Sequence, residues 1–345
     1  MITSPKSNEI AARLNQPLAA YLELTYACNW RCTFCYNPRH SDRSRLTTEE
    51  WIDVLSDLRA LGTLSVTLTG GEPMLHPGIR EIARSARELR FVVRLFTNGS
   101  LLNESTARFL RKESISVEMS LHGATPAVHD RATARPGSFA SLAGAVAILA
   151  SARVPAAIKT PVTSLNEHEL DAMIELAQTW GLPHRLDPTI TPKDNGDLSP
   201  LELTASLPTR RRIARMEVET GAVTAPVSRV EGGTNCGLGR TSLAIDPEGN
   251  VFPCMQWRHR ALGNVRQTRL RELWPSSPVR QEAARVAVEA NSRMLALGGA
   301  ASAYSFCPAL AFQETGSATT PNETFLERAE LAAEVRSSLR ASAVA

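Results

Sequence analysis

Between residues 21 and 190 the chain alternates two kinds of apolar pattern. Short runs dominated by aliphatic residues, such as Leu64–Thr69 (LSVTLT) and Phe91–Phe96 (FVVRLF), are separated by longer stretches in which apolar residues return every three or four positions. The first kind suits buried strands and the second suits amphipathic helices. The pattern predicts strands at Tyr21–Ala27, Leu64–Thr69, Phe91–Phe96, Ile115–Leu121, Ala156–Val162 and His184–Ile190. It predicts helices at Thr47–Leu61, Ile79–Leu89, Asn103–Lys112, Phe139–Ala152 and Glu167–Trp180. Thr47 with Glu50 three positions on reads as a capping box, and Asn103 as an N-cap.

Strands alternating with helices at this spacing argue for a parallel sheet. Right-handed crossovers curl such a sheet into part of a barrel, whose chemistry sits at the C-terminal strand ends. The polar and Gly-rich oddities of this region fall there: a cysteine cluster, Gly70-Gly71-Glu72-Pro73, Thr97-Asn98-Gly99, and Ser120-Leu121-His122-Gly123. After Pro192 the rhythm changes. Asp194–Thr209 reads as a connector and Arg210–Glu219 as a short helix. Thr241–Ile245 and Val251–Cys254 form a hairpin about the turn Asp246–Asn250, Leu270–Trp274 and Val279–Val288 read as helical, and Glu323–Ala341 as a closing helix.

Composition narrows the class of protein. In 345 residues, 43% are apolar and 21% charged, enough to bury a core and against global disorder. A net charge of +3 is too small to argue for nucleic acid. Pro136–Ala152 and Met294–Gln313 are long uncharged stretches, but their small residues, Gly and Pro argue against membrane spans. The start, MITSPKSNEI, has no apolar core of a signal peptide, so the expected location is the reducing cytoplasm. There, clustered cysteines bind metal more often than they pair as disulfides.

Three of the six cysteines lie within eight residues, as Cys28-Asn-Trp-Arg-Cys32-Thr-Phe-Cys35. Three thiolates so close suit a cubane iron–sulfur cluster with one iron left open to chelate a small molecule. From spacing alone the alternative is zinc, with His40 as a fourth ligand. With Phe34 before the third cysteine and the cluster placed after the first strand, the motif resembles the signature of the radical S-adenosylmethionine (SAM) superfamily. The resemblance covers about the first 190 residues and implies a [4Fe–4S] cluster on Cys28, Cys32 and Cys35 that binds SAM and cleaves it to a 5′-deoxyadenosyl radical. It further implies SAM-site roles for Phe34, Tyr36, Gly70, Gly71, Glu72, Pro73, Thr97, Asn98, Ser120, His122 and Arg131. Glu72 or nearby carbonyls would take the SAM ammonium, Ser120 the carboxylate or ribose, and Arg131 the carboxylate. Lys159 on the fifth strand has no assigned role.

The later cysteines sit in a second recognisable frame. Cys236, the hairpin Ile245-Asp-Pro247-Glu-Gly249-Asn-Val251-Phe-Pro253-Cys254, and Cys307 resemble the SPASM/twitch extension of the same superfamily. A full SPASM domain has seven cysteines and this tail has three, which implies one auxiliary [4Fe–4S] cluster on Cys236, Cys254 and Cys307. The alternative is that these are buried free thiols. The expected fold is therefore α/β: a partial (β/α)6 barrel over residues 1–193, a connector over 194–235, and over 236–345 a small twitch/SPASM-like hairpin plus helix extension.

If all six cysteines are ligands, none remains to return a hydrogen atom to a carbon radical. That disfavours thiol-dependent epimerisation and favours net oxidation or cross-linking. The resemblance points first to modification of a ribosomally made precursor peptide, as a cross-link, thioether or oxidation. A small-molecule sugar or alcohol dehydrogenase or epimerase is the alternative. A non-catalytic iron–sulfur or zinc protein and an RNA-modifying enzyme are weaker readings. Twenty residues precede Tyr21, fewer than the leader-binding winged helix of many peptide maturases, so a separate leader-binding partner is expected. A flavodoxin- or ferredoxin-type electron donor is expected as well. Arg210–Arg212 and the arginines after Cys254 read as solvated helix faces rather than a nucleic-acid surface, and Trp257 and Trp274 as core.

Overall fold

The computed structural model describes residues 5–42, 45–220, 233–234 and 236–344. Its first half is a β/α alternation: α1 (Pro5–Leu14), β1 (Ala19–Glu23), α2 (Thr48–Ala60), β2 (Ser65–Thr69), α3 (Ile79–Glu88), β3 (Val92–Thr97), α4 (Glu104–Lys112), β4 (Ser116–Ser120), α5 (Pro126–Thr133), α6 (Ser138–Ser151), β5 (Ala156–Pro161), α7 (Leu170–Thr179) and β6 (His184–Asp187). Six expected strands and five expected helices are present. Thr47 and Glu50 form both arms of the capping box, a device worth about 1 kcal/mol.

Besides the α-helices at Gly299–Ser302 and Pro308–Thr315 in the C-terminal part, two helices of this half lay outside the sequence reading. One is α1. The other is α5, whose polar sequence hides a regular start: Thr125 caps the Val128 N–H and Pro126 occupies the first turn. The first strand also sits earlier than expected, at Ala19–Glu23 instead of Tyr21–Ala27. Beyond Glu23 the chain keeps its bonds to the β2 side but loses its other neighbour, which turns away at Asp246.

That other neighbour is the main topological finding. After α8 (Leu207–Glu219) come β7 (Ser242–Ile245), β8 (Asn250–Phe252) and β9 (Gly263–Asn264). Strand β7 pairs in parallel with β1, Tyr21 opposite Ala244 and Leu22 opposite Ile245. The nine strands form one sheet ordered β6-β5-β4-β3-β2-β1-β7-β8-β9. The expected hairpin therefore extends the barrel sheet and gains β9 as a third strand. Helices α9 (Leu270–Ser276), α10 (Pro278–Leu297), α11 (Gly299–Ser302), α12 (Pro308–Thr315) and α13 (Glu323–Val344) complete the chain. Helix α10 is longer than expected, and part of the expected connector, residues 221–232 and 235, lies outside the described residues.

The strands alternate sharply. Leu22, Val66, Leu68, Val93, Leu95, Val117, Met119 and Ile158 join one core with helix residues such as Trp51, Leu55, Ile82, Leu110 and Leu149. The intervening positions Glu23, Thr69, Phe96 and Glu118 are in register across β1 to β4, and Ser120 and Lys159 across β4 and β5. Parallel sheets normally bury two apolar faces. Here the face away from the main core is polar, which suits a cavity more than packing. Lys159 belongs to it and meets Asp187 of β6 at 2.8 Å. Burial alone would raise Asp187, but Lys159 outweighs it and holds the carboxyl below its ordinary value.

The arginines after Cys254 stitch the C-terminal part to the barrel helices. Arg266 meets Glu50 at 2.9 Å and Arg269 meets Asp57 at 2.9 Å, both on α2, while Arg260 pairs within the C-terminal part with Glu282 of α10 at 2.7 Å. Arg210, Arg211 and Arg212 of α8 pair with Glu327, Glu334 and Asp171. Each of these arginines has a carboxylate partner within the chain. Trp257 and Trp274 are buried. Among the described residues no helix is long and apolar enough to cross a membrane.

These pairs differ in burial, so their loss should differ in cost. Asp57 is only 3% exposed, so Arg269→Ala leaves a buried carboxylate short of its partner. A loss on the order of 1–3 kcal/mol is expected. Arg260→Ala breaks a pair whose side chains are both about half exposed and should cost no more than about 1 kcal/mol. Denaturant midpoints of the two variants check the difference.

Candidate functional site

The loop after β1 carries Cys28, Cys32 and Cys35 and is fixed from three sides. On the first, Gly71 N–H donates to the Thr25 carbonyl (2.7 Å) and Glu72 N–H to the Ala27 carbonyl (2.8 Å). A Cβ at Gly70 would lie 2.3 Å from the Thr25 oxygen, and one at Gly71 would lie 2.3 Å from that of Ala27. The two glycines are thus required by close approach of the cysteine loop, with Gly70 also at φ +136°. On the second side, α5 receives the loop: Arg31 and Thr33 donate their N–H groups to the Thr133 and Ala132 carbonyls, both 3.0 Å. On the third, the hairpin turn holds it: Tyr26 O–H donates to Asp246 (3.1 Å), Arg39 pairs with Glu248 (3.1 Å), and the Arg39 guanidinium lies 3.8 Å over the Tyr26 ring.

Glu72 is fully buried and its carboxylate is fully engaged. It accepts from Thr97 Oγ1 (2.7 Å), Asn98 N–H (2.8 Å) and Met74 N–H (3.0 Å). Burial raises its carboxyl despite these donors. The geometry gives Glu72 the task of tying the ends of β2 and β3 together, and leaves backbone carbonyls as the better acceptors for a ligand ammonium. Pro73 follows in a short 3₁₀ turn. Asn98 Nδ2 donates to Asn29 (2.8 Å), and Asn29 donates to Ser100 (2.8 Å). The Asn29 contact was not anticipated, although its position between Cys28 and Cys32 was a hint.

Phe34 rests on the buried His122 ring, with centroids 5.1 Å apart, and His122 in turn on His129 at 5.4 Å. His122 therefore supports Phe34 from beneath. Ser120 is half-buried at the end of β4, open to the polar face. Arg131 is exposed on α5 and donates to the Leu165 carbonyl (3.2 Å). Tyr36 donates its hydroxyl to Glu23 (2.8 Å), and Glu23 meets Arg258 at 2.8 Å. Glu23 was not singled out from sequence, although a carboxylate closing a buried strand was a signal; Arg258 was read with the other arginines after Cys254 as part of a solvated face and is instead buried against Glu23.

The six thiols form two sets and no disulfide. Burial raises Cys28 and Cys32, and pushes Cys35 up to about 11, with neighbouring thiols adding to the shift at Cys32 and Cys35. In the second set Cys236, Cys254 and Cys307 pack around Leu238, Trp257, Ala283, Ala287 and Ala309. Burial and mutual repulsion push Cys236 and Cys254 up to about 12. Backbone N–H groups already point at these sulfurs: Leu238 at Cys236, Gln256 and Trp257 at Cys254, Ala309 and Leu310 at Cys307, and Trp30 at Cys28 (3.4 Å). Such donors stabilise cluster-bound thiolates. Among the described residues no three His, Cys, Asp or Glu side chains are grouped to share one ion.

This polar-faced partial barrel, with one cysteine triad at its mouth and a second beyond the hairpin, has the form of an iron–sulfur enzyme. Residues 22–177 match the radical SAM superfamily, and residues 236–296 match the SPASM iron–sulfur cluster-binding domain. The chain is 29% identical to the AdoMet-dependent heme synthase of Methanosarcina barkeri, over 78% of this chain and 85% of that protein. It is 32% identical to the mycofactocin maturase MftC of Mycobacterium ulcerans (70% and 69% covered) and 28% identical to the PqqA peptide cyclase of Rhodopseudomonas palustris (72% and 70%). Among solved structures, Streptococcus suis SuiB bound to precursor peptide SuiA superposes with TM-score 0.66 at 16% identity, covering 80% of this chain and 69% of that one. The chain belongs to the radical SAM superfamily and carries its SPASM extension. Membership implies a [4Fe–4S] cluster and SAM in the barrel, and auxiliary iron–sulfur in the extension.

The histidine layer beneath Phe34 predicts a pH effect. Burial drives His129 down to about 4 from an ordinary 6.5 and His122 well below it. The folded state keeps these rings neutral while the unfolded chain protonates them. Stability is therefore complete above pH 6.5 and is lost as pH falls toward 4. In melting curves between those limits, His129→Gln should show a shallower acid-side loss than wild type. Equal slopes would contradict this.

Proposed function

We propose that this radical SAM enzyme oxidatively modifies a precursor peptide, holding one auxiliary [4Fe–4S] cluster on Cys236, Cys254 and Cys307. The observation that carries this reading is the division of the six cysteines between the loop after β1 and a second set packed against the small core around Trp257. When bound and reduced, the Cys28/Cys32/Cys35 cluster supplies the electron that cleaves SAM to methionine and a 5′-deoxyadenosyl radical, which takes a hydrogen atom from substrate. The chain's own residues do the rest. Cys28, Cys32 and Cys35 hold the cluster. The Gly70–Pro73 backbone, shaped by Glu72, Thr97 and Asn98, receives the SAM ammonium. Ser120 takes the carboxylate or ribose. Arg131 on α5 is the second carboxylate contact once it releases Leu165.

With all six cysteines assigned as cluster ligands, none would remain to return a hydrogen atom to a carbon radical, and the centre that Cys236, Cys254 and Cys307 would hold could accept the second electron of a net oxidation. The peptide reading draws support from the PqqA peptide cyclases and the SuiB complex with its precursor peptide. A flavodoxin- or ferredoxin-type protein is the proposed donor, and a separate protein the proposed leader-binding partner. A small-molecule substrate is the second reading, favoured by the heme synthase relative, 85% of which is covered.

Reconstituted enzyme given dithionite and SAM should release 5′-deoxyadenosine, and Cys28→Ala should abolish the release. Coexpression with any short reading frame found encoded beside it should yield a peptide two hydrogens lighter by mass spectrometry. Cys254→Ala should retain 5′-deoxyadenosine release and lose that product. A peptide unchanged in mass would favour the small-molecule reading.

A further inference from the structure

The two cysteine loops are joined by a buried charged contact that the chemistry above does not use. Glu23 closes β1 and is fully buried. Its Oε1 accepts the Tyr36 hydroxyl (2.8 Å), one residue beyond Cys35. Its Oε2 lies 2.8 Å from Nη2 of Arg258, four residues beyond Cys254, whose side chain is 5% exposed. Arg258 is held by the Met255 carbonyl (2.7 Å) and lies 4.9 Å over the Phe252 ring. Its Nη1 has no partner among the described residues. A third charge stands beside them. Asp194 donates its N–H to the Tyr36 carbonyl (2.9 Å), and its carboxyl is pushed up to about 6 by burial, with Glu23 adding and Arg258 opposing.

A buried ion pair is rarely more stable than apolar residues of the same volume. Its position suggests another use. Glu23 and Asp194 both bear electrostatically on the Cys35 sulfur, and Arg258 is the cation that offsets them. Negative charge near an iron–sulfur cluster opposes uptake of an electron and positive charge favours it.

We propose that Glu23 and Arg258 are tuning residues that couple the auxiliary-cluster loop to the SAM-binding cluster and shift its reduction potential in opposite directions. The proposal rests on the [4Fe–4S] assignment to Cys28, Cys32 and Cys35. Arg258 reaches that cluster's surroundings only because the Cys254 loop is docked beside β1. Docking of the second loop therefore makes the first cluster easier to reduce.

The test is an EPR-monitored redox titration of full-length reconstituted protein, following the signal that SAM perturbs. Glu23→Gln should move the midpoint to more positive potential and Arg258→Gln to more negative. The double variant should lie between the two, and Arg258→Lys should return close to wild type. A merely structural pair would move both single variants the same way or neither, and either result overturns the proposal. If Arg258→Gln does not fold, Glu23→Gln decides alone: a positive shift supports the proposal, and no shift or a negative one overturns it. A wild-type protein with no SAM-sensitive cluster would instead refute the assignment beneath it, which iron analysis detects separately.

Discussion

The placement of β1 between β2 and β7 governs the rest of the structure. A strand with two parallel neighbours is fixed along its whole length, and its C-terminal end is fixed with it. The cysteine loop leaves from that end. It therefore emerges in a cleft with Gly70–Glu72 on one side and the Asp246–Asn250 turn on the other. Both walls bond to it directly, through Thr25 and Ala27 on one side and through Tyr26 and Arg39 on the other. A loop of three mutually repelling thiols needs this support, since burial and repulsion both disfavour their thiolates. A metal cluster relieves both, and binding one couples to folding.

The same pairing brings the second cysteine triad close. Because β7 is a barrel strand, the chain leaving β8 carries Cys254 and Arg258 back toward Glu23. The arginines farther along fasten this part to α2 through Glu50 and Asp57. The extension is thus held by sheet pairing, by a buried ion pair and by half-exposed ion pairs at its edge. The sheet face that carries Glu118, Ser120, Lys159 and Asp187 is polar and only part-buried.

Much of this was legible in the sequence. Strand and helix order through β6 followed from periodicity, because both patterns report local geometry. The Cys28–Cys35 motif and the hairpin around Asp246–Asn250 were legible because they are local in sequence. The β7–β1 pairing was not, since it joins residues more than 200 positions apart and leaves no periodic trace. For the same reason Glu23 and Arg258 read as unrelated charges. Helix α5 was missed because its apolar face is short, although Thr125-Pro126 marked its start. Glu72 illustrates a subtler limit: its motif was recognised, but only three-dimensional contacts reveal that its carboxylate is already spent on Thr97, Asn98 and Met74. Cys307 lies beyond the residues that match the SPASM domain, yet the resemblance had placed it with Cys236 and Cys254, and all three pack against the same small core.

The account requires two separate iron–sulfur centres, one on Cys28, Cys32 and Cys35 and one on Cys236, Cys254 and Cys307. The direct measurement is iron and sulfide content after anaerobic reconstitution of wild type, a Cys28/Cys32/Cys35→Ala variant and a Cys236/Cys254/Cys307→Ala variant. Two [4Fe–4S] clusters predict about eight irons in wild type and about four in each triple variant. About four irons in wild type, none after loss of the first triad and no change after loss of the second, would contradict the auxiliary cluster. Cys236, Cys254 and Cys307 would then be free thiols, able to donate hydrogen in a redox-neutral reaction.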